Sequence, residues 1–100
     1  MTHFASSEFW ARFHSLPDSV QEIARKQFEL LKSDGGHPSL HFKRSGRYRS
    51  VRISKQYRAL GVDITEGVLW FWIGSHADYD RWLKQSSYSV QRELAGYAST

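Results

Sequence analysis

At Pro38 the hydrophobic pattern of this chain switches from helical spacing to alternation, and the switch limits it to helices first and strands second. Upstream, Phe9, Trp10, Phe13 and Leu16 recur at helical spacing behind Ser6-Ser7, a pair able to cap a helix start. A second helix is expected to begin between Pro17 and Ser19. Proline suits a first turn, where its missing N–H costs nothing, and Ser19 with Glu22 has capping-box spacing. Val20, Ile23, Ala24, Phe28 and Leu31 form its apolar stripe, and SDGGHPS (33–39) ends it.

Beyond Pro38, LHFKR (40–44) reads as a short strand. YRSVRIS (48–54) alternates, with Val51 and Ile53 on one face and Tyr48, Ser50 and Arg52 on the other. SKQ (54–56) is a tight turn. YRALGVD (57–63) and VLWFWIG (68–74) give two more strands around ITEG, and the short connections make these three antiparallel neighbours. The unbroken apolar run of the last strand predicts a central position covered on both sides. His76 to Gln85 reads as a helix. The fold class is therefore α+β over residues 1–85: an N-terminal helical hairpin packed on a small antiparallel sheet, then a C-terminal helix. With helices on one face, the other sheet face is expected to be a groove. The tail, 86–100, stays open between a further helix and partial disorder.

A chain of 100 residues suffices for one modest core, and its 40% apolar content is that of a folded protein. There are no cysteines, which excludes disulfides, thiolate metal sites and thiol catalysis. MTHFASSEFW has no basic segment leading into a hydrophobic one, so a secretory leader is not expected, and Val68 to Ile73 is too short to span a bilayer. Cytoplasmic placement is the expectation.

Charge is distributed unevenly. No Asp or Glu lies between Gly35 and Val62, whereas Lys43, Arg44, Arg47, Arg49, Arg52, Lys55 and Arg58 do, seven of the 14 basic residues. Such a segment suits a polyanionic partner, and interleaved Tyr48 and Tyr57 suit base stacking; a merely solvated basic face is the alternative. On a helix starting near His76, positions 76, 79 and 80 share a face, setting an imidazole, a phenol and a carboxylate side by side. The imidazole can move protons near neutral pH, the carboxylate of Asp80 can fix its tautomer, and the guanidiniums of Arg52 and Arg58 can stabilise a phosphate in a transition state. The same residues admit a plainer account: His76 as a cap, Tyr79 as core, and Asp80 paired with Arg81 or Lys84. His37, His41 and His76 do not form a compact ligand set, so no metal or cofactor is expected. SDGGHPS lacks the Lys-Ser/Thr of a phosphate-binding loop, and no GxSxG is present. Residues alone thus read as a small basic α+β domain whose groove binds RNA or DNA.

In order and spacing, YRSVRI, YRAL and WIGSHADYD, preceded by FHSLPDSVQEIARKQFELL, resemble the RelE/ParE superfamily of bacterial toxins from type II toxin–antitoxin modules, over roughly residues 8 to 84. The RelE-like branch is the nearer. The resemblance implies a microbial-RNase-like fold and a metal-independent endoribonuclease that cuts mRNA in the ribosomal A site, inhibiting translation. Its reaction sets the ribose 2′-OH on the adjacent phosphate and leaves a 2′,3′-cyclic phosphate; only RNA has that hydroxyl. By position it implies Arg52, Arg58, His76 and Tyr79 as catalytic residues, with Tyr79 or Trp82 offering an aromatic plane to a base. Where relatives carry lysines in the alternating strand, Lys43, Arg49 and Lys55 compete to hold substrate beside Tyr48. It also implies a cognate antitoxin, expected as an acidic amphipathic segment laid across the basic surface and the apolar groove beside the helices. Two alternatives stay open within the superfamily: a ParE-like gyrase inhibitor, and a catalytically inactive co-repressor that only binds its antitoxin.

Overall fold

A computed structural model describes residues 1–83, and the tail expectation for 86–100, with the end of the predicted helix at Gln85, lies outside them. The chain forms β1 (Thr2–Ala5), α1 (Ser7–His14), α2 (Asp18–Ser33), a single 3-10 turn (Pro38–Leu40), β2 (Lys43–Ser45), β3 (Tyr48–Ser54), β4 (Tyr57–Ile64) and β5 (Gly67–Ser75). It is then helical over 76–83 (α3). The helical hairpin, the β3–β4–β5 meander and the last helix follow the sequence reading.

Local chemistry accounts for most boundaries. Ser6 caps α1, its Oγ accepting from the Phe9 N–H at 3.2 Å. The capping box expected at Ser19 and Glu22 does not form. α2 starts at Asp18 behind Pro17 with no side-chain cap, and Gln21 instead donates to the Leu16 carbonyl at 2.9 Å, closing the turn between the helices. Asp18 in the first turn suits the positive end of the helix dipole. The strand expected from Leu40 starts three residues later, because Pro38 opens a 3-10 turn that drives Leu40 fully into the core.

The sheet has five strands in the order β1-β5-β4-β3-β2. β2 to β5 are antiparallel, whereas β1 joins β5 in parallel. That edge strand is absent from the sequence reading: THFA is too short to show a period, and its partner lies more than 60 residues away in sequence. β5 is thus flanked on both edges, in the interior position expected of it. Gly67 admits β1, since a Cβ there would strike the Thr2 carbonyl, and its φ of +151° disfavours any side chain.

Both sheet faces are buried. α1 and α2 cover one, over a core of Phe9, Phe13, Ala24, Leu31, Val51, Ile53, Val68, Trp70 and Ile73. α3 covers the other, over Tyr48, Leu60, Trp72 and Tyr79, with Phe71 and Trp82 alongside. The open groove expected on that second face is therefore roofed by the last helix. β5 serves both cores by means of a bulge: Leu60 pairs with Trp72 and Gly61 with Trp70, leaving Phe71 unpaired. Trp70 accordingly faces α1 and α2, Trp72 faces α3, and Ile73 faces back again.

Candidate functional site

The basic cluster arises from ladder register. Arg52 on β3 lies directly opposite Arg58 on β4. Strand alternation places Arg52 on the side of Tyr48 and Ser50, and Arg58 on the side of Leu60, so both face α3. Arg58 shares its strand parity with Leu60 and Val62, which pack in the second core. Arg58 is half-buried, and its Nη1 donates to the carbonyls of Ser54 and, at 2.9 Å, of Tyr57. Desolvation and then the neighbouring Arg52 charge lower its pKa, while Tyr79 and Asp80 act in the opposite direction.

His76 comes to the same end of the sheet because Arg58 faces Gly74 and Tyr57 faces Ser75 at the close of β5. The His76 N–H donates to the Gln56 carbonyl at 2.6 Å. Its ring stacks on Tyr79, centroids 5.8 Å apart, and its Nε2 lies 3.7 Å from Asp80 Oδ2. The cap of α3 is Ser75, whose Oγ accepts from the Asp78 N–H at 3.1 Å, which leaves the His76 imidazole free of that duty. Arg81 pairs with Asp78 at 3.3 Å and not with Asp80. Arg52, Arg58, His76, Tyr79 and Asp80 thus converge at one end of the sheet, where β3, β4 and the start of α3 meet.

The other sequence candidates divide. Tyr79 is 7% exposed, and its hydroxyl donates to Ser50 Oγ at 3.2 Å; it anchors α3 and carries the histidine ring but has no free face for a base. Tyr48, expected to stack on substrate, is also 7% exposed and packs under Trp82 at 5.2 Å. Its buried hydroxyl has no partner among the described residues, and burial raises its pKa. Trp82 is half-buried and also lies against Phe71. Arg49, expected at substrate, points to the opposite sheet face: its Nε donates to Asp63 Oδ1 at 2.9 Å, and its guanidinium lies over Phe42 at 5.5 Å. Arg44 grips the other oxygen of the same carboxylate, and the two arginines hold Asp63 below the usual carboxylate range. Lys43, opposite Ser50, is exposed on the α3 side. Lys55 is exposed in the turn that also carries Gln56.

Two contributors escaped sequence reasoning, Ser75 and the Gln56 carbonyl, while Ser50 lies on the face expected of it and is taken up by the Tyr79 hydroxyl. Ser75 had a signal, since Ser75 and Asp78 have the S-x-x-D spacing of a helix start. Among the described residues, no group of three or more His, Asp or Glu is placed to hold a metal ion. Chemically, two guanidiniums beside an imidazole–carboxylate pair can bind a phosphodiester and move a proton next to it.

A search of solved structures finds the toxin fold. The RelB–RelE antitoxin–toxin complex from Methanococcus jannaschii matches with a TM-score of 0.61 at 12% identity, over 78% of this chain and 96% of that one. A copper-bound mutant toxin from Helicobacter pylori matches with a TM-score of 0.52 at 16% identity, over 78% and 97% of the two chains. No curated protein sequence matches the chain. The family model of the ParE-like toxin domain matches residues 18–81, from the start of α2 to the middle of α3. That span holds β2 to β5 with every residue of the converging cluster, and by it the chain belongs to the ParE-like toxin family, within the RelE/ParE superfamily.

Proposed function

We propose that this protein is the toxin of a toxin–antitoxin pair and that it acts as a ribosome-dependent mRNA endoribonuclease. The observation that carries the reading is the cross-strand Arg52–Arg58 pair beside the His76–Asp80 couple. A member of the family that acted only through protein contacts has no need of an imidazole–carboxylate couple at the same end of the sheet as a pair of guanidiniums. In the reaction the ribose 2′-oxygen attacks the adjacent phosphorus, and the bond from phosphorus to the 5′-oxygen breaks. One proton leaves the 2′-OH and one is delivered to the departing oxygen. His76 carries one of these transfers, with the Asp80 carboxylate 3.7 Å from its Nε2. Arg52 and Arg58 stabilise the charge gathering on the phosphoryl oxygens. Tyr79 positions the histidine ring.

The antitoxin is the expected protein partner, since the matched Methanococcus structure is such a complex. Induced expression followed by mapping of message 5′ ends tests the enzyme. New cleavage sites are expected within translated regions, with loss of about 10²-fold or more in cleavage for His76→Gln and Arg58→Ala. Growth arrest without new ends, or cleavage undiminished in both variants, overturns it.

A second reading, inhibition of DNA gyrase by direct contact, has the ParE-like family match as its support. It alone predicts blocked supercoiling by purified gyrase with no ribosomes present.

A further inference from the structure

α2 carries a polar side chain where its core-facing stripe calls for an apolar one. Val20, Ala24, Gln27 and Leu31 lie at spacings of four, three and four, so they share a face, and Ala24 and Leu31 are buried. Gln27 is half-buried between them, and its Nε2 donates to the carbonyl of Arg52 at 2.9 Å. Arg52 is the residue at which the ladder slips. It faces Arg58, while Ser54 faces Tyr57, which leaves Ile53 without a partner. A bulge of this kind interrupts the ladder and lets the local backbone bend. β2 gives no help here, because its pairing with β3 ends at Ser50. The side-chain amide of Gln27 is thus a contact from outside the ladder that holds the Arg52 peptide at the bulge.

The charge of an arginine sits at the end of a long chain, so a small turn of its peptide moves the guanidinium far. We infer that Gln27 is a positioning residue: its hydrogen bond to the Arg52 carbonyl aims the Arg52 guanidinium beside Arg58, toward the phosphate of an RNA substrate. This rests on the proposed anion-binding role of that pair. Gln27 lies on the α2 side of the sheet and touches no substrate, so it acts through Arg52. A merely structural amide, satisfying a half-buried carbonyl, affects folding but not the direction of one guanidinium.

A double-mutant cycle separates the two. Gln27→Met keeps length and volume and removes the donor; Gln27→Glu offers a second variant of the same length. Wild type, Q27M, R52A and Q27M/R52A are compared for message cleavage in a reconstituted translation reaction, and for the side-chain Nε–H resonances of the free proteins. Q27M is expected to lower kcat about tenfold, a misplacement effect. It should have no further effect in the R52A background and should shift the Arg52 resonance while most others stay in place. Equal losses in both backgrounds, or an Arg52 resonance that neither Q27M nor Q27E moves, overturns the inference. Failure of the enzyme reading looks different: wild type does not cleave, or R52A cleaves as well as wild type, and the resonances then decide on Gln27 by themselves.

Discussion

Arg58 is held by backbone carbonyls on two sides, whereas Arg52 brings a second positive charge directly across the ladder from it. Like charges so placed disfavour the folded state, and desolvation adds to the cost for Arg58. The carboxylate that acts on Arg58, Asp80, is exposed and already beside His76. Such a pair is poorly compensated in the free protein and well compensated by a bound phosphate. Arg52→Gln is therefore expected to raise the melting temperature, by the equivalent of a few tenths of a kcal/mol up to about 1 kcal/mol, while lowering cleavage about 10²-fold. Thermal melting and cleavage measured on one preparation check it, and a variant that melts lower than wild type contradicts the account. Arg58→Gln differs, since it also removes the donor to Ser54 and Tyr57.

Among elements, β1 and α3 were the least legible from sequence, for different reasons. Each couples a short segment to a distant surface. Gly67 tests the first: Gly67→Ala sets a Cβ against the Thr2 carbonyl at an unfavourable φ. It is expected to release β1, seen as lost amide-exchange protection at residues 3–5 with β3 and β4 unaffected. Protection retained at β1 refutes the clash. The three central strands were readable because Val51 and Ile53 alternate cleanly with Ser50 and Arg52, and the turns between them are short. α3 was read as a helix, but its task was hidden. Tyr48 and Ser50 resemble a wet face in sequence, yet Ser50 is 2% exposed because the Tyr79 hydroxyl satisfies it. Polar residues that bond one another across sequence leave no periodic signal. The bulge at Phe71 was concealed in the same way, since it turns an alternating strand into an unbroken apolar run. For the site, spacing sufficed to put His76 beside Asp80 and Tyr79, and alternation with Val51 and Ile53 already set Arg49 on the face away from Arg52, whereas its partner Asp63 came from another strand.

At the scale of the whole molecule, five of the seven basic residues in the segment divide into two groups by sheet face. Arg44 and Arg49 lie on the α1–α2 side and are taken up by Asp63. Lys43, Arg52 and Arg58 face α3, at the end where His76 lies. The net charge of +4 is therefore less informative than the side from which each charge acts. A polyanion approaching the site meets the second group, and each phosphate contact it makes releases counterions, which shows in the salt dependence of binding. Lys43→Ala is expected to lower the slope of log K against log salt for an RNA oligonucleotide by about 1. Arg49→Ala should leave that slope unchanged and cost only about 0.5 kcal/mol of stability, as suits an exposed ion pair. Titrations at several salt concentrations, with 2′-deoxy substitution at the scissile position to prevent cleavage, measure both. If Arg49→Ala lowers the slope as much as Lys43→Ala does, RNA binds across both sheet faces, and the basic segment acts as one surface after all.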